Sequence, residues 1–131
     1  MDMDRRSVIK AGALASLAVA QPALALGRSE RPVLFVCDMR FAPSSDAARL
    51  WRAHGVPLID PRTDDLGVAW RERIPQLLRK NPGGIEGLTL WSDKFICESL
   101  GRERGLAIAF EAQVPQPSAI RATPLLHWRL A

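Results

Sequence analysis

The chain is poor in the residues that build metal and redox centres. Of its 131 residues, two are histidine and two are cysteine. His54 and His127 stand far apart, without the close pairing that marks zinc sites, and Cys37 and Cys97 form no Cys-x-x-C. Structural zinc and thioredoxin-like exchange therefore have no sequence support. Equally absent are a Gly-x-Ser-x-Gly elbow, a G-x-G-x-x-G loop after the first strand and a phosphate loop ending Gly-Lys-Ser/Thr. Lysine is scarce too: only three of the 18 basic side chains are lysines, and the arginines alternate with acids, as in Arg71-Glu72-Arg73 and Arg102-Glu103-Arg104. That interleaving describes solvated helix faces. A nucleic-acid footprint needs a basic stripe with stacking aromatics, so no nucleic-acid partner is expected in spite of a net charge of +4. No apolar run reaches the roughly 20 residues that cross a bilayer.

What is present is an ordinary folding composition, 47% hydrophobic and 24% charged, in a length that fits one compact domain. It is preceded by an address. Met1 to Lys10 is charged, Ala11 to Ala20 is an uncharged run of Ala, Leu, Val, Gly and Ser, and the next five residues end in Ala23-Leu24-Ala25. These are the three regions of a secretory signal, with small side chains at Ala23 and Ala25 where a peptidase pocket requires them. The expected division is a signal over 1–25 and a single α/β domain over 26–131. Within the signal, Asp4-Arg5-Arg6-Ser7-Val8-Ile9-Lys10 resembles the twin-arginine (Tat) export motif through Arg5, Arg6, Val8, Ile9 and Lys10. Asp4 stands where Ser or Thr is usual, and Val8 replaces the favoured Phe. The resemblance implies a periplasmic protein that meets the Tat translocase and signal peptidase during export, crosses already folded and keeps no stable membrane insertion after cleavage. A retained signal would instead make it an N-terminally anchored structural subunit. No cysteine lies near the cleavage point to carry a lipid anchor.

Behind the signal the hydrophobic pattern alternates between strand and helix. Val33 to Cys37 is apolar without alternation, as in a strand covered on both faces. Pro43-Ser44-Ser45-Asp46 supplies a turn and an N-cap for a helix carrying Ala47, Leu50, Trp51 and His54, which Gly55 stops. Val56 to Asp60 reads as a second strand, and Asp64 and Asp65 cap a second helix in which Pro75 should produce a kink or start a new turn. Ile85 to Trp91 reads as a third strand whose Gly87 permits close approach to its backbone. Ser92 or Asp93 caps a third helix with Phe95, Ile96 and Leu100 turned inward; Leu106 to Phe110 is a fourth strand. After a proline-bearing linker, Leu126, Trp128 and Leu130 alternate with His127 and Arg129, the pattern of a half-exposed edge strand. The expected fold is a small three-layer α/β sandwich. Its mainly parallel sheet has four strands in the order 2-1-3-4, with a C-terminal antiparallel edge strand beside the fourth.

In such sheets ligands gather where strands end and helices begin. That rule selects Asp38 and Arg40 after strand one, Asp60 and Arg62 after strand two, and Ser92 and Asp93 after strand three. Carboxylates beside forked guanidinium donors suit a polar or anionic ligand, or else cap helices and pair at the surface. Cys37 and Cys97 could pair if strand three lies beside strand one, could stay buried and inert, or could leave Cys97 as a nucleophile at a helix start. At the level of fold alone, Asp38 and Asp93 resemble the acidic strand ends of phospho-acceptor receiver domains, although no lysine ends the fourth strand. The run Gly87-Leu88-Thr89, followed by Phe95 to Glu98, resembles small uncharacterised exported bacterial proteins. The residues together point to a non-catalytic accessory protein that binds a small ligand or a periplasmic protein partner, with no cofactor indicated. The alternative is a small hydrolase or transferase using Asp38, Asp60, Ser92 or Cys97.

Overall fold

The structure, a computed structural model, describes residues 31–115 and 124–131. Arg5, Arg6, Lys10, Ala23 and Ala25 of the export signal lie outside the described residues, as does Pro117 of the linker. Among the described residues no helix is long and apolar enough to cross a membrane.

The chain runs β1 (Leu34–Cys37), α1 (Ala42–Ala53), β2 (Leu58–Ile59), then α2 (Leu66–Val68) continuing through a π-turn (Ala69–Arg73) into α3 (Ile74–Lys80). It follows with β3 (Ile85–Leu90), α4 (Trp91–Arg102), β4 (Ile108–Val114) and β5 (Leu125–Leu130). One five-stranded sheet holds them in the order β2-β1-β3-β5-β4. β1 is parallel to β2 and β3, whereas β5 is antiparallel to both β3 and β4, so four strands share one direction. The order of the first three strands and the reversal of the last are as the sequence implies.

The place of the last strand is not. β5 is not an edge: it enters between β3 and β4, and all six of its residues are buried. His127 and Arg129, which alternate with apolar neighbours as if facing water, instead meet Glu86 on β3. A buried acid between two bases satisfies the polar face that alternation assigns to solvent. The margin of the sheet is β4, whose residues are half-buried or exposed. A register irregularity between Ile108 and Phe110 reverses its phase, turning Ile108 toward one face and Phe110, Ala112 and Val114 toward the other.

Helices cover both faces, giving three layers. α1 presses Ala47, Ala48 and Trp51 on Phe35, Cys37, Leu88 and Leu125, while α2, α3 and α4 cover Leu34, Val36, Ile85, Leu126, Trp128 and Leu130. α1 begins at Ala42, one turn ahead of the expected cap, because Pro43 fits the first turn, where its missing N–H goes unused. Ser44, freed from capping, donates its hydroxyl to the Leu88 carbonyl at 2.9 Å and ties the helix start to β3. Gly55 takes φ +80°, the left-handed stop that glycine permits. Pro75 starts a new helical segment, one of the two expected outcomes. The preceding turn widens to the π form, with the Ile74 N–H reaching the Ala69 carbonyl, and the helix resumes with Pro75 in its first turn.

α4 also starts earlier than expected, at Trp91, with no side-chain cap from Ser92 or Asp93. Its inward stripe is Asp93, Lys94, Cys97 and Gly101, and Phe95 and Ile96 lie outside at 50% and 40% exposure. The expected inward position of those two side chains is therefore corrected. Phe95 stacks on exposed Trp91, centroids 5.0 Å apart, leaving an aromatic pair at the surface.

Candidate ligand-binding site at the strand ends

The topology brings the carboxyl ends of β1, β2 and β3 side by side, with Asp38, Asp60 and Asp93 just beyond them. Asp38 is fully buried and gripped by Arg40, whose Nε donates to Oδ1 at 2.9 Å and whose terminal nitrogen donates to Oδ2 at 2.7 Å. The Arg40 backbone N–H adds a third bond to Oδ1. Burial by itself would push the Asp38 carboxyl up, but these three bonds and the nearby charges of Arg40 and Arg62 outweigh it and hold the group below its ordinary range. Asp60 organises its own loop: Oδ1 accepts from the Arg62 N–H at 2.9 Å, and the Asp60 N–H donates to Asp64 at 3.1 Å. Ser92 is exposed.

Asp93 differs from its neighbours. It is 8% exposed, and its Oδ2 is buried with no hydrogen-bond partner among the described residues. Burial pushes its carboxyl above the ordinary range; Arg62 and Arg40 oppose that rise, and Asp38 and Asp60 add to it. The five charged groups thus feel one another across the three strand ends. With Asp38 and Arg40 locked together and Asp60 engaged with its own loop, the groups left over are the Asp93 carboxylate and the exposed Arg62 guanidinium.

The cysteines do not share a site. Cys37 faces α1 and Cys97 packs on the opposite face of the sheet, so the sheet itself separates them and both are free. The bridge considered from the sequence is therefore not formed. Cys97 stands in the second turn of α4, not at its start, and burial pushes both thiols up to about 12. Among the described residues no group of three or more His, Cys, Asp or Glu could hold a metal ion.

One polar cluster escapes a reading by strand ends. Glu86, 0% exposed, accepts from Arg129 at 2.9 Å and pairs with His127 Nε2 at 2.7 Å, while Phe110 packs edge-on against the imidazole. A lone acid inside the apolar run Ile85 to Leu90 is the signal that could have found it, since such a group demands a buried partner. The aromatic contribution is likewise structural in three of four cases. Trp51, Trp70 and Trp128 are core residues, and Trp91 stands in solvent. A depression of about 290 Å³ between α2 and α4, lined by Gly67, Trp70, Arg71, Leu100, Glu103 and Arg104, is separate from the strand-end groups. Compared with known protein families, curated proteins and solved structures, the chain matches none.

Proposed function

We propose that the protein is an exported, periplasmic, non-catalytic binding protein that takes a small polar ligand at the ends of β1, β2 and β3. The observation that carries this reading is Asp93, a buried carboxylate whose Oδ2 has no hydrogen-bond partner among the described residues, within electrostatic reach of the exposed Arg62 guanidinium. A buried acceptor left unsatisfied costs stability, and a donor brought by a ligand would recover it. The chemistry that fits is a molecule with a cationic N–H group for Asp93 and an anionic group for Arg62, as in a free amino acid. Export rests on the resemblance of Arg5, Arg6 and Lys10 to the Tat motif and on the small residues at Ala23 and Ala25. The catalytic alternative using Asp38, Asp60, Ser92 or Cys97 has less support, since Asp38 is tied to Arg40 and the thiols are raised to about 12.

The test is titration calorimetry with the natural amino acids, alongside glycine betaine, which keeps the two charges but has no N–H. Binding of an amino acid, lost in Asp93→Asn and in Arg62→Gln and absent for betaine, supports the reading. No binding across the panel, or binding indifferent to both substitutions, overturns it. For export, replacing Arg5 and Arg6 with Lys should abolish recovery of the protein from the periplasmic fraction; unchanged recovery removes the Tat route.

A further inference from the structure

β4 ends the sheet, and among the described residues it pairs with β5 alone. Sheet margins that must stay single are blunted with lysine, proline or a bulge. Here such devices stand only at the two ends of the strand, as the irregularity between Ile108 and Phe110 and as Pro115. The five residues between them, Phe110-Glu111-Ala112-Gln113-Val114, contain neither lysine nor proline and only one charge. Glu111, Ala112 and Gln113 are exposed, and Phe110 and Val114 are half-buried.

We propose that this strand joins β4 of a second copy of the chain, antiparallel about a twofold axis at Ala112, to give a ten-stranded sheet across a dimer. The occupant is identified by the strand's complementarity to itself. In a twofold antiparallel pair every residue faces the position reflected through the centre. With Ala112 on the axis, the smallest side chain of the five meets its own copy, Phe110 meets Val114, and Glu111 meets Gln113. An aromatic opposite a β-branched residue is a favourable cross-strand pair, and an acid opposite an amide avoids the repulsion that centring on Glu111 would impose. The pairing that these residues prefer is also the one that the irregularity and Pro115 bracket symmetrically. On the face that carries Phe110 it makes an unbroken row of six apolar side chains, three from each copy. Glu111 is already held on the other face by Lys94 at 3.0 Å, so its position is set before the second copy arrives. The proposal is independent of the strand-end ligand, which binds elsewhere on the sheet.

The experiment is analytical ultracentrifugation of the full chain from ~1 to ~500 µM, a range that covers modest interfaces, with circular dichroism to confirm that each variant folds. The unaltered protein should pass from monomer to dimer. Gln113→Glu sets an acid opposite Glu111 of the second copy twice per dimer and should weaken association roughly three- to tenfold; Gln113→Lys sets a base there and should tighten it by a similar factor. Ala112→Lys places two ammonium groups on the axis and should abolish the dimer. A chain that stays monomeric throughout, as it would if this edge served a strand of another protein, overturns the proposal. So does a dimer on which the two Gln113 substitutions act alike or not at all.

Discussion

Gly87 of β3 lies directly beneath the indole of Trp128, its cross-strand partner on β5, so closely that even a methyl group would collide with the ring. The ring is held there by its Nε1, which donates to the Thr89 hydroxyl at 3.0 Å. Gly87→Ala should therefore expel the indole from the sheet's surface and break that hydrogen bond. A loss of about 2–4 kcal/mol is expected in urea unfolding, together with a red shift in tryptophan emission. Unchanged stability would mean that the indole can move aside without loss.

The Glu86 cluster makes a second prediction. Glu86→Ala removes the acid that faces both His127 and Arg129 in the interior. It should cost about 1–3 kcal/mol, since it removes the buried carboxylate that both basic side chains contact. Glu86→Gln keeps the shape and one acceptor and should cost less. Chemical denaturation of the two variants under the same conditions gives the comparison.

Asp38 and Asp93 should drive stability in opposite senses as pH changes. Asp38 has its carboxyl lowered by folding, so its contribution is complete above the unfolded value of 3.8 and fades as pH falls toward the folded one. Asp93 is raised by folding, so stability is lost as pH climbs from 3.8 through its higher folded value and the buried group ionises. Asp93→Asn should consequently be more stable than the parent protein near neutrality, by about 1 kcal/mol or more. The gain should vanish in acid, where Asp93 is protonated. Thermal unfolding of both proteins between pH 3 and pH 8 reads the difference directly; a gain that is constant with pH would contradict the burial of that carboxylate.

The thiols provide a chemical check on the two-faced core. With both groups buried and raised to about 12, Cys37 and Cys97 should resist a disulfide reagent such as dithionitrobenzoate at pH 8 in the folded protein. In guanidinium both should react. Rapid reaction of one thiol in the native state would locate an opening in the face that covers it.

Much of this fold can be read in the chain, and the misreadings share one physical source. Val33 to Cys37 announces a strand buried on both faces, because its apolar run shows no alternation, and it lies between two parallel neighbours. Leu125 to Leu130 misleads because alternation reports polarity and not exposure. His127 and Arg129 are buried only because Glu86, some 40 positions earlier, lies across from them. β4 extends to Val114, beyond its expected end at Phe110, since Glu111, Ala112 and Gln113 have little strand preference of their own and follow the ladder offered by β5. In α4, a start at Trp91 turns Asp93 and Lys94 inward, where Lys94 is neutralised by Glu98 at 3.3 Å and Glu111 at 3.0 Å. The strand-end residues were legible as a group because their placement follows from topology alone. Which of them would be spent on each other, as Asp38 and Arg40 are, depends on side-chain geometry that no spacing encodes.

The insertion of β5 between β3 and β4 sets a timetable for the growing polypeptide. Until residues 125–130 have been synthesised, β3 and β4 have nothing to join them, and Glu86 waits without either of its basic partners. A nascent chain stopped at residue 124 therefore carries an open strand and an uncompensated acid in what will become its centre, which delays assembly of the sheet until its last-made strand is in hand.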